Sequence, residues 1–256
     1  MRERRNKDAR TRWWPIAGTA LCVAAVAGGG WWAHQALLGF SSFHVSEVRI
    51  QGNAHVAAAE IISRLGLRAP VNILQMNMEE LAGRLTTHPW ISSASIQRHF
   101  PSRLIITVEE REPVALLSAG KTFLLSADAV ILDEVRGAPT RTLPTLQPRW
   151  RAEYRVGARV DDPRLVGGLD LLGTLRKAPL LHGRQVERVT AEADGNYILR
   201  LAEGGALLRV SPAEPLVQLH RLEIALRHRG KGLQSFAYVD LRFPGRVIVK
   251  PPEKGG

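Results

Sequence analysis

The sequence is poor in cysteine: Cys22 is the only one among 256 residues. A single cysteine cannot form an internal disulfide, and it excludes zinc sites built on CxxC pairs. The eight histidines, which include His182, His220 and His228, show no spacing typical of a metal site. We therefore expect a protein without a bound metal and without a cofactor.

Catalytic motifs are also missing. The sequence contains no GxSxG, HExxH, Walker loop or dinucleotide-binding fingerprint. Asp161 and Asp162 form an acidic pair, but they precede a proline, which is typical of a turn. We therefore expect no catalytic residue and no enzymatic activity, so that function must come from surfaces.

Aromatic residues are scarce, at 6%, although the formal net charge is +11. The basic residues are scattered apart from one N-terminal run, and no basic stripe is interleaved with aromatics. Net charge alone indicates solubility and nonspecific attraction rather than a binding site. The sequence therefore does not predict a nucleic-acid partner.

Charged residues are absent from Trp13 to Ser46, directly after a basic segment, residues 1–12. An uncharged apolar run of this length is typical of a transmembrane helix, and basic residues remain on the cytoplasmic side. We predict a cytoplasmic tail over 1–12 and a transmembrane helix over 13–38, with the rest of the chain outside the membrane. Tryptophans at the two ends of the span predict interface anchors, namely Trp13, Trp14, Trp31 and Trp32.

A cleaved signal peptide is the alternative. Ala25, Val26 and Ala27 form the small-residue pattern that precedes a cleavage site. Apolar character continues beyond Ala27 through Trp31 and Leu38, which a secreted N-terminus does not need. The retained helix is therefore our expectation.

Residues 43–112 predict a first folded module with the order strand, helix, helix, strand, strand. Asn77 is a suitable helix cap, since Glu80 follows it in a capping-box-like pattern. Arg98 is expected to pair with Glu109 or Glu110 and so to set the strand register. The predicted elements are Phe43–Gln51, Val56–Leu65, a helix after Asn77, Trp90–Gln97 and Arg103–Glu110.

Residues 113–250 predict a second, antiparallel β-rich module with flanking helices, which makes the fold class α+β. Ser211-Pro212-Ala213-Glu214 is typical of a helix start, and Gly230 of a helix end. Residues 139–148 are expected to form a loop and residues 251–256 a disordered tail. The predicted strands are Val114–Leu117, Thr122–Leu125, Val130–Leu132, Val186–Thr190, Tyr197–Leu201, Ala206–Val210, Phe236–Leu241 and Arg246–Lys250, and the predicted helices are Leu165–Leu180 and Ser211–Arg229.

The last strand is the best candidate for a binding edge, because it has Val-Ile-Val at its centre and a partner strand can add to an exposed edge. The alternative is an edge that is covered by the C-terminal tail or simply solvated.

Four segments carry a resemblance to a known family: VRIQGN from Val48, HPWI from His88, IQRHFPSRLIITVEEREPVALL from Ile96 and YVDLRFPGRVIV from Tyr238. In this order they resemble the FtsQ/DivIB family of bacterial division proteins, whose first module is a POTRA domain. One departure is Lys250, where the family can carry an aromatic residue.

The resemblance implies a non-enzymatic scaffold of the divisome in the inner membrane at the septum, with its bulk in the periplasm. It implies binding of FtsB and FtsL, contact with the septal peptidoglycan synthases FtsW and FtsI and with the translocase FtsK, and a role in controlling septal peptidoglycan synthesis. The partner-binding positions that it implies are Arg242, Phe243, Arg246, Val247, Ile248 and Val249.

Two other functions fit parts of the sequence. A POTRA-type periplasmic chaperone is one, although such proteins carry several POTRA units and a barrel, and the strands needed for a barrel are not predicted here. A membrane-tethered periplasmic hydrolase is the other.

Overall fold

The computed structural model describes residues 14–39, 41–67, 71–137, 143–181, 184–202 and 206–252. The predicted cytoplasmic tail, Trp13 and the residues from 253 onward lie outside these ranges. The first element is a long helix, α1, Trp14–Gly39, on which Trp31 and Trp32 are exposed. Within the described ranges, however, none of the helices combines the length and the apolar character that crossing a membrane requires.

The chain forms two compact units. The first contains the residues up to Leu85 together with Ala94–Val108, and the second contains Thr86–Ser93 together with the residues from Glu109 onward. Arg111 holds the short segment in the second unit, since its guanidinium donates to the carbonyl oxygens of Pro89 (2.9 Å) and Ile91 (2.6 Å). The same guanidinium also donates to the carboxylate of Asp128.

The first unit has the predicted order of strand, helix, helix, strand, strand. Its sheet has the strand order β1-β3-β2, and β1 runs parallel to β3. The helix cap at Asn77 is confirmed, because its side-chain oxygen accepts hydrogen bonds from the backbone N–H groups of Glu79 and Glu80. The elements are β1, Glu47–Gln51, α2, Ala58–Leu65, α3, Met78–Thr86, β2, Ile91–His99, and β3, Arg103–Glu110.

Arg98 has a different role from the one expected of it. Its guanidinium donates to the carbonyl oxygens of Ile73 (3.0 Å) and Met76, which lie in the segment before α3. A planar guanidinium with several donors suits two neighbouring carbonyls. Arg98 therefore fixes this segment rather than pairing with the carboxylate of Glu109.

Among its described residues, the second unit contains a nine-stranded sheet and two α-helices. The strand order is β12-β11-β10-β9-β8-β7-β4-β5-β6. The strands are β4, Pro113–Ala119, β5, Lys121–Ser126, β6, Ile131–Glu134, β7, Thr145–Pro148, β8, Val186–Ala191, β9, Tyr197–Leu201, β10, Leu207–Val210, β11, Tyr238–Asp240, and β12, Ile248–Lys250, and the helices are α4, Pro163–Leu175, and α5, Pro215–Arg229.

The prediction of an antiparallel sheet is wrong for three strand pairs. β4 and β7, β7 and β8, and β10 and β11 are parallel. Parallel neighbours need a long crossover connection, usually a helix. α4 provides it between β7 and β8, and α5 provides it between β10 and β11. The prediction of a loop over 139–148 is also wrong at its end, where β7 lies in the sheet.

Both helices pack on one face of the large sheet, where they form a core with the inward side chains of the strands. α4 begins at Pro163 because the carboxylate of Asp162 accepts a hydrogen bond from the N–H of Arg164 (2.9 Å). Its Gly168 lies so close to the sheet that a Cβ atom there would be 2.7 Å from Cδ1 of Leu146. Gly168 therefore permits the close packing of α4 on the sheet.

α5 begins at Pro215, three residues after Pro212, which is the predicted first helical residue after the cap Ser211. A residue before proline is disfavoured in helical conformation, so the helix cannot run through Glu214. Glu214 instead adopts a left-handed conformation with φ of 51°. The predicted helix end at Gly230 is confirmed, with φ of 60°.

Candidate protein-binding edge

β12 is the last strand at one end of the nine-stranded sheet. It pairs antiparallel with β11, with Val249 opposite Val239 and Ile248 opposite Asp240. The side chains of Val247 and Val249 pack against the core, whereas Ile248 is 47% exposed. The outer margin of β12 thus offers backbone groups and one apolar side chain.

The strand is shorter than predicted at its start. Gly245 has φ of 71°, and the N–H of Arg246 donates to the carbonyl oxygen of Phe243 (3.2 Å). This tight turn occupies the positions before the strand, so that Arg246 and Val247 precede β12 rather than belong to it.

The opposite edge of the sheet, β6, is flanked by another part of the chain. The N–H of Ile131 donates to the carbonyl oxygen of Ala158 (3.0 Å), and the N–H of Gly157 donates to the carbonyl oxygen of Ile131 (2.8 Å). Asp133 and Glu134 then place two carboxylates at the end of this strand. Charges and covering segments both block strand addition, which leaves β12 as the more accessible of the two edges.

Arg242 is tied to Asp240 beside this edge. Its Nε lies 3.0 Å from Oδ1 and its Nη2 lies 2.9 Å from Oδ2 of that carboxylate, which is buried. Burial alone would raise the pKa of Asp240, but the hydrogen bonds and the positive charge of Arg242 lower it overall. The pair is therefore ionised, and the carboxylate fixes the direction of the guanidinium.

A network of alternating charges continues from this pair across the sheet. Arg242 Nη1 lies 3.8 Å from Asp194 Oδ2, which also accepts a hydrogen bond from Nη2 of Arg209 (3.1 Å). Nε of Arg209 donates to Glu192 (2.6 Å), which also accepts from Arg149. Sequence reasoning missed this network because its members come from separate elements and meet only through the strand register.

Phe243 follows Arg242 and is 44% exposed. The guanidinium carbon of Arg242 lies 5.5 Å from the centre of its ring. Arg221 of α5 donates to the carbonyl oxygen of Phe243 (3.1 Å) and so supports the turn. The structure therefore brings all six positions from Arg242 to Val249 together in one turn and strand, with Phe243 and Ile248 as exposed apolar side chains.

Across the described ranges, no three or more histidine, cysteine, aspartate or glutamate side chains are grouped so that they could hold a metal ion. The edge offers backbone hydrogen-bonding groups, two exposed apolar side chains and a fixed, neutralised ion pair.

Comparison with known proteins agrees with this architecture. Residues 43–111 match the family described as "POTRA domain, FtsQ-type". A protein of Geobacter sp. (strain M21) called cell division protein FtsQ is 23% identical over 92% of this chain and 85% of its own length. Proteins of the same name from Anaeromyxobacter sp. (strain K) and Caulobacter vibrioides (strain NA1000 / CB15N) are 26% and 27% identical, over 99% and 82% of this chain and 87% and 65% of their own.

These matches confirm the resemblance seen in the four sequence segments. Residues 43–111 match the FtsQ-type POTRA domain family, and the chain as a whole is similar to the FtsQ cell division proteins over most of its length.

Proposed function

We propose that this protein is a scaffold of the bacterial cell-division machinery that binds other division proteins through the outer margin of β12. The similarity to FtsQ cell division proteins supports the cellular role. The observation that carries the binding mode is the position of β12 at the end of the sheet, with its inward valines in the core and Ile248 exposed. A partner strand that adds to such an edge gains main-chain hydrogen bonds, while side chains beside it supply specificity.

The partner that we propose for this edge is FtsB in complex with FtsL. Phe243 and Ile248 flank the margin and offer apolar contacts, whereas Arg242 is held by Asp240 and contributes a fixed positive charge. Lys250 stands at the end of the strand and favours an acidic or polar partner side chain there. Through this complex the protein would act on the septal peptidoglycan synthases FtsW and FtsI, with FtsK as a further partner.

We further propose that residues 13–38 anchor the protein in the inner membrane with residues 1–12 in the cytoplasm and the bulk in the periplasm. The support is the sequence: six basic residues precede a stretch without any Asp, Glu, Lys or Arg from Trp13 to Ser46. Most of that stretch is one helix, α1. In the sequence, two tryptophan pairs flank the apolar residues 15–30, which is typical of membrane interfaces.

Cysteine labelling tests this topology. Because Cys22 is the only cysteine, Cys22→Ser gives a background in which Lys7→Cys or Lys231→Cys is the single thiol. With the outer membrane permeabilised, a membrane-impermeant maleimide is expected to label Lys231→Cys, and to label Lys7→Cys only after cell lysis. Labelling of both thiols in unlysed cells, or loss of the protein from the membrane in an alkaline carbonate wash, would show that the anchor is absent.

Co-purification tests the proposed function. The full chain, tagged and extracted in a neutral detergent, is expected to retain coexpressed FtsB and FtsL from the same organism. Cells depleted of the chain are expected to grow as filaments that do not divide. If an intact FtsB–FtsL complex passes over the immobilised chain without retention, the proposed partnership is wrong even if the division defect is present.

A further inference from the structure

The face of the nine-stranded sheet opposite α4 and α5 carries two arginines side by side. Arg188 of β8 lies directly opposite Arg200 of β9 in the strand register. Their sequence neighbours Val189, Leu199 and Leu201 are buried in the core with the helices, so alternation along the strands places both arginines on the other face.

A register irregularity next to Arg188 creates this juxtaposition. The register shifts between Val186, which pairs with Leu201, and Arg188, which pairs with Arg200. Glu187 is the extra residue, which makes the site a β-bulge. A regular ladder would place Glu187, rather than Arg188, opposite Arg200. Bulges re-aim side chains and are frequent beside functional sites.

Within the part of the chain that the structure describes, neither arginine has an ion pair, whether with Glu187 or with any other carboxylate. Nε of Arg188 is buried and donates no hydrogen bond to any described group. Arg209, on the same face, shows the contrast, since it is neutralised by both Glu192 and Asp194.

Two like charges directly opposite each other destabilise a strand pair, and a buried N–H without an acceptor adds a further cost. Conflicts of this kind are expected at functional sites. We propose that Arg188 and Arg200 form a binding site for a carboxylate of an acidic polypeptide segment that lies across this face of the sheet.

The neighbouring side chains favour a polypeptide as the occupant. Ile198 and Leu207 lie on the same face as the two arginines, because they alternate with the core residues Leu199 and Leu208. Both side chains are half-buried. A polypeptide segment with both acidic and apolar side chains is therefore complementary to this face, which carries two arginines and two apolar side chains. The guanidinium fork binds carboxylates in a bidentate way, and the chain's net charge of +11 attracts acidic partners.

This inference does not rest on strand addition at β12. β10 and β11 lie between β9 and that edge, which separates the two places by about 14 Å at the usual strand spacing. Changes at Arg188 and Arg200 leave the hydrogen bonds of β12 intact, so that failure of one proposal is visible separately from failure of the other.

The test compares two double variants of the full chain in a neutral detergent, with a fluorescent oligoglutamate peptide as the probe. Arg188→Gln/Arg200→Gln is expected to weaken peptide binding by about tenfold or more, since charged hydrogen bonds are lost. Arg176→Gln/Arg229→Gln removes the same charge from exposed positions at the C-terminal ends of α4 and α5 and is expected to change binding by less than about threefold, as for net charge alone.

A second measurement needs no ligand. Arg200→Gln alone is expected to raise the thermal midpoint by about 1–4 °C, because it relieves the repulsion between the two arginines, whereas Arg229→Gln gives no rise. An equal loss of peptide binding in both double variants, or a midpoint that falls in Arg200→Gln, would overturn the site. Binding of vesicles containing phosphatidylglycerol through the two arginines, without binding of oligoglutamate, would likewise exclude a polypeptide occupant.

Discussion

Proline substitutions in β12 are expected to separate partner binding from stability. The N–H groups of an edge strand point alternately toward the neighbouring strand and toward its open side. Ile248 and Lys250, opposite Asp240 and Tyr238, form one set, and Val249, opposite Val239, forms the other. Proline in the outward set removes a donor needed only by the partner, whereas proline in the inward set removes a hydrogen bond to β11.

A proline variant that removes an outward N–H is expected to bind FtsB about a hundredfold more weakly or worse, because it loses both a hydrogen bond and the close approach of the partner strand. The free energy of unfolding of this outward variant is expected to change by less than about 1 kcal/mol. For a proline variant that removes an inward N–H, the free energy of unfolding is expected to fall by roughly 3 kcal/mol. Affinity measured by pull-down titration and stability measured by denaturant unfolding, on Ile248→Pro and Val249→Pro, make the comparison.

The natural sequence already uses proline in this way. Pro251 and Pro252 directly follow the last residue of β12, and proline cannot donate to a ladder. The edge available to a partner is therefore about three residues long, which makes each of its N–H groups matter. Unchanged FtsB affinity in both proline variants, with both proteins folded, would show that the partner does not add a strand to β12.

The sequence pattern predicts those strands and helices whose first and last residues are determined by neighbours in the chain. β3 has the borders that its alternation predicts, and α5 ends at Gly230, which supplies the left-handed conformation at no steric cost. The strand–helix–helix–strand–strand order of the first unit follows for the same reason. In each case the deciding interaction lies within a few residues of the chain.

Elements that depend on distant partners are not predictable in this way. β7 has only four residues and ends in Pro148, so its pattern resembles a loop until β4 and β8 pair with it on both sides. The Asp-Pro pattern at Asp162 is typical of a turn, yet in the structure it caps α4. Periodicity describes which face a residue takes, but it does not choose the neighbouring strand.

In the candidate edge too, some features are predictable from nearby residues and others depend on distant ones. Its location at the C-terminal strand follows from the sequence, yet the charge network that continues from Arg242 depends on Asp194, which lies far from Arg242 in the chain. The pairing of Arg188 with Arg200 likewise depends on a bulge that no composition pattern reveals. Long-range register therefore determines the chemistry of both surfaces, while local pattern determines only where the strands are.

Gly52→Ala is expected to destabilise the first unit severely, although it adds only a single methyl group. Gly52 directly follows β1 with φ of +84°, in the region that side chains with a Cβ rarely adopt. A Cβ atom there would lie 2.1 Å from the carbonyl oxygen of Val108, in the neighbouring strand β3. Since the obstacle is backbone, no side-chain rotation relieves it, and β1 must move away from β3.

Gly66→Ala is the matched control in the same unit. Gly66 has φ of +65° as the residue after α2, but a Cβ there would meet only the end of the flexible Arg84 side chain at 3.5 Å. The control therefore carries the conformational cost, about 1 kcal/mol, without the collision. Gly52→Ala adds the collision, and we expect a total loss of about 3 kcal/mol or more.

Such a loss is a large part of the stability of a small domain, which is typically about 5–10 kcal/mol. Hydrogen exchange in the full chain measures it directly, since the amides of β1 and β3 are expected to lose protection in Gly52→Ala while those of β8 and β9 keep theirs. Equal losses in Gly52→Ala and Gly66→Ala would mean that the backbone contact with Val108 carries no energetic weight. Because β1 pairs with β3 along five residue positions, we expect the collision at its end to reach the whole sheet of the first unit.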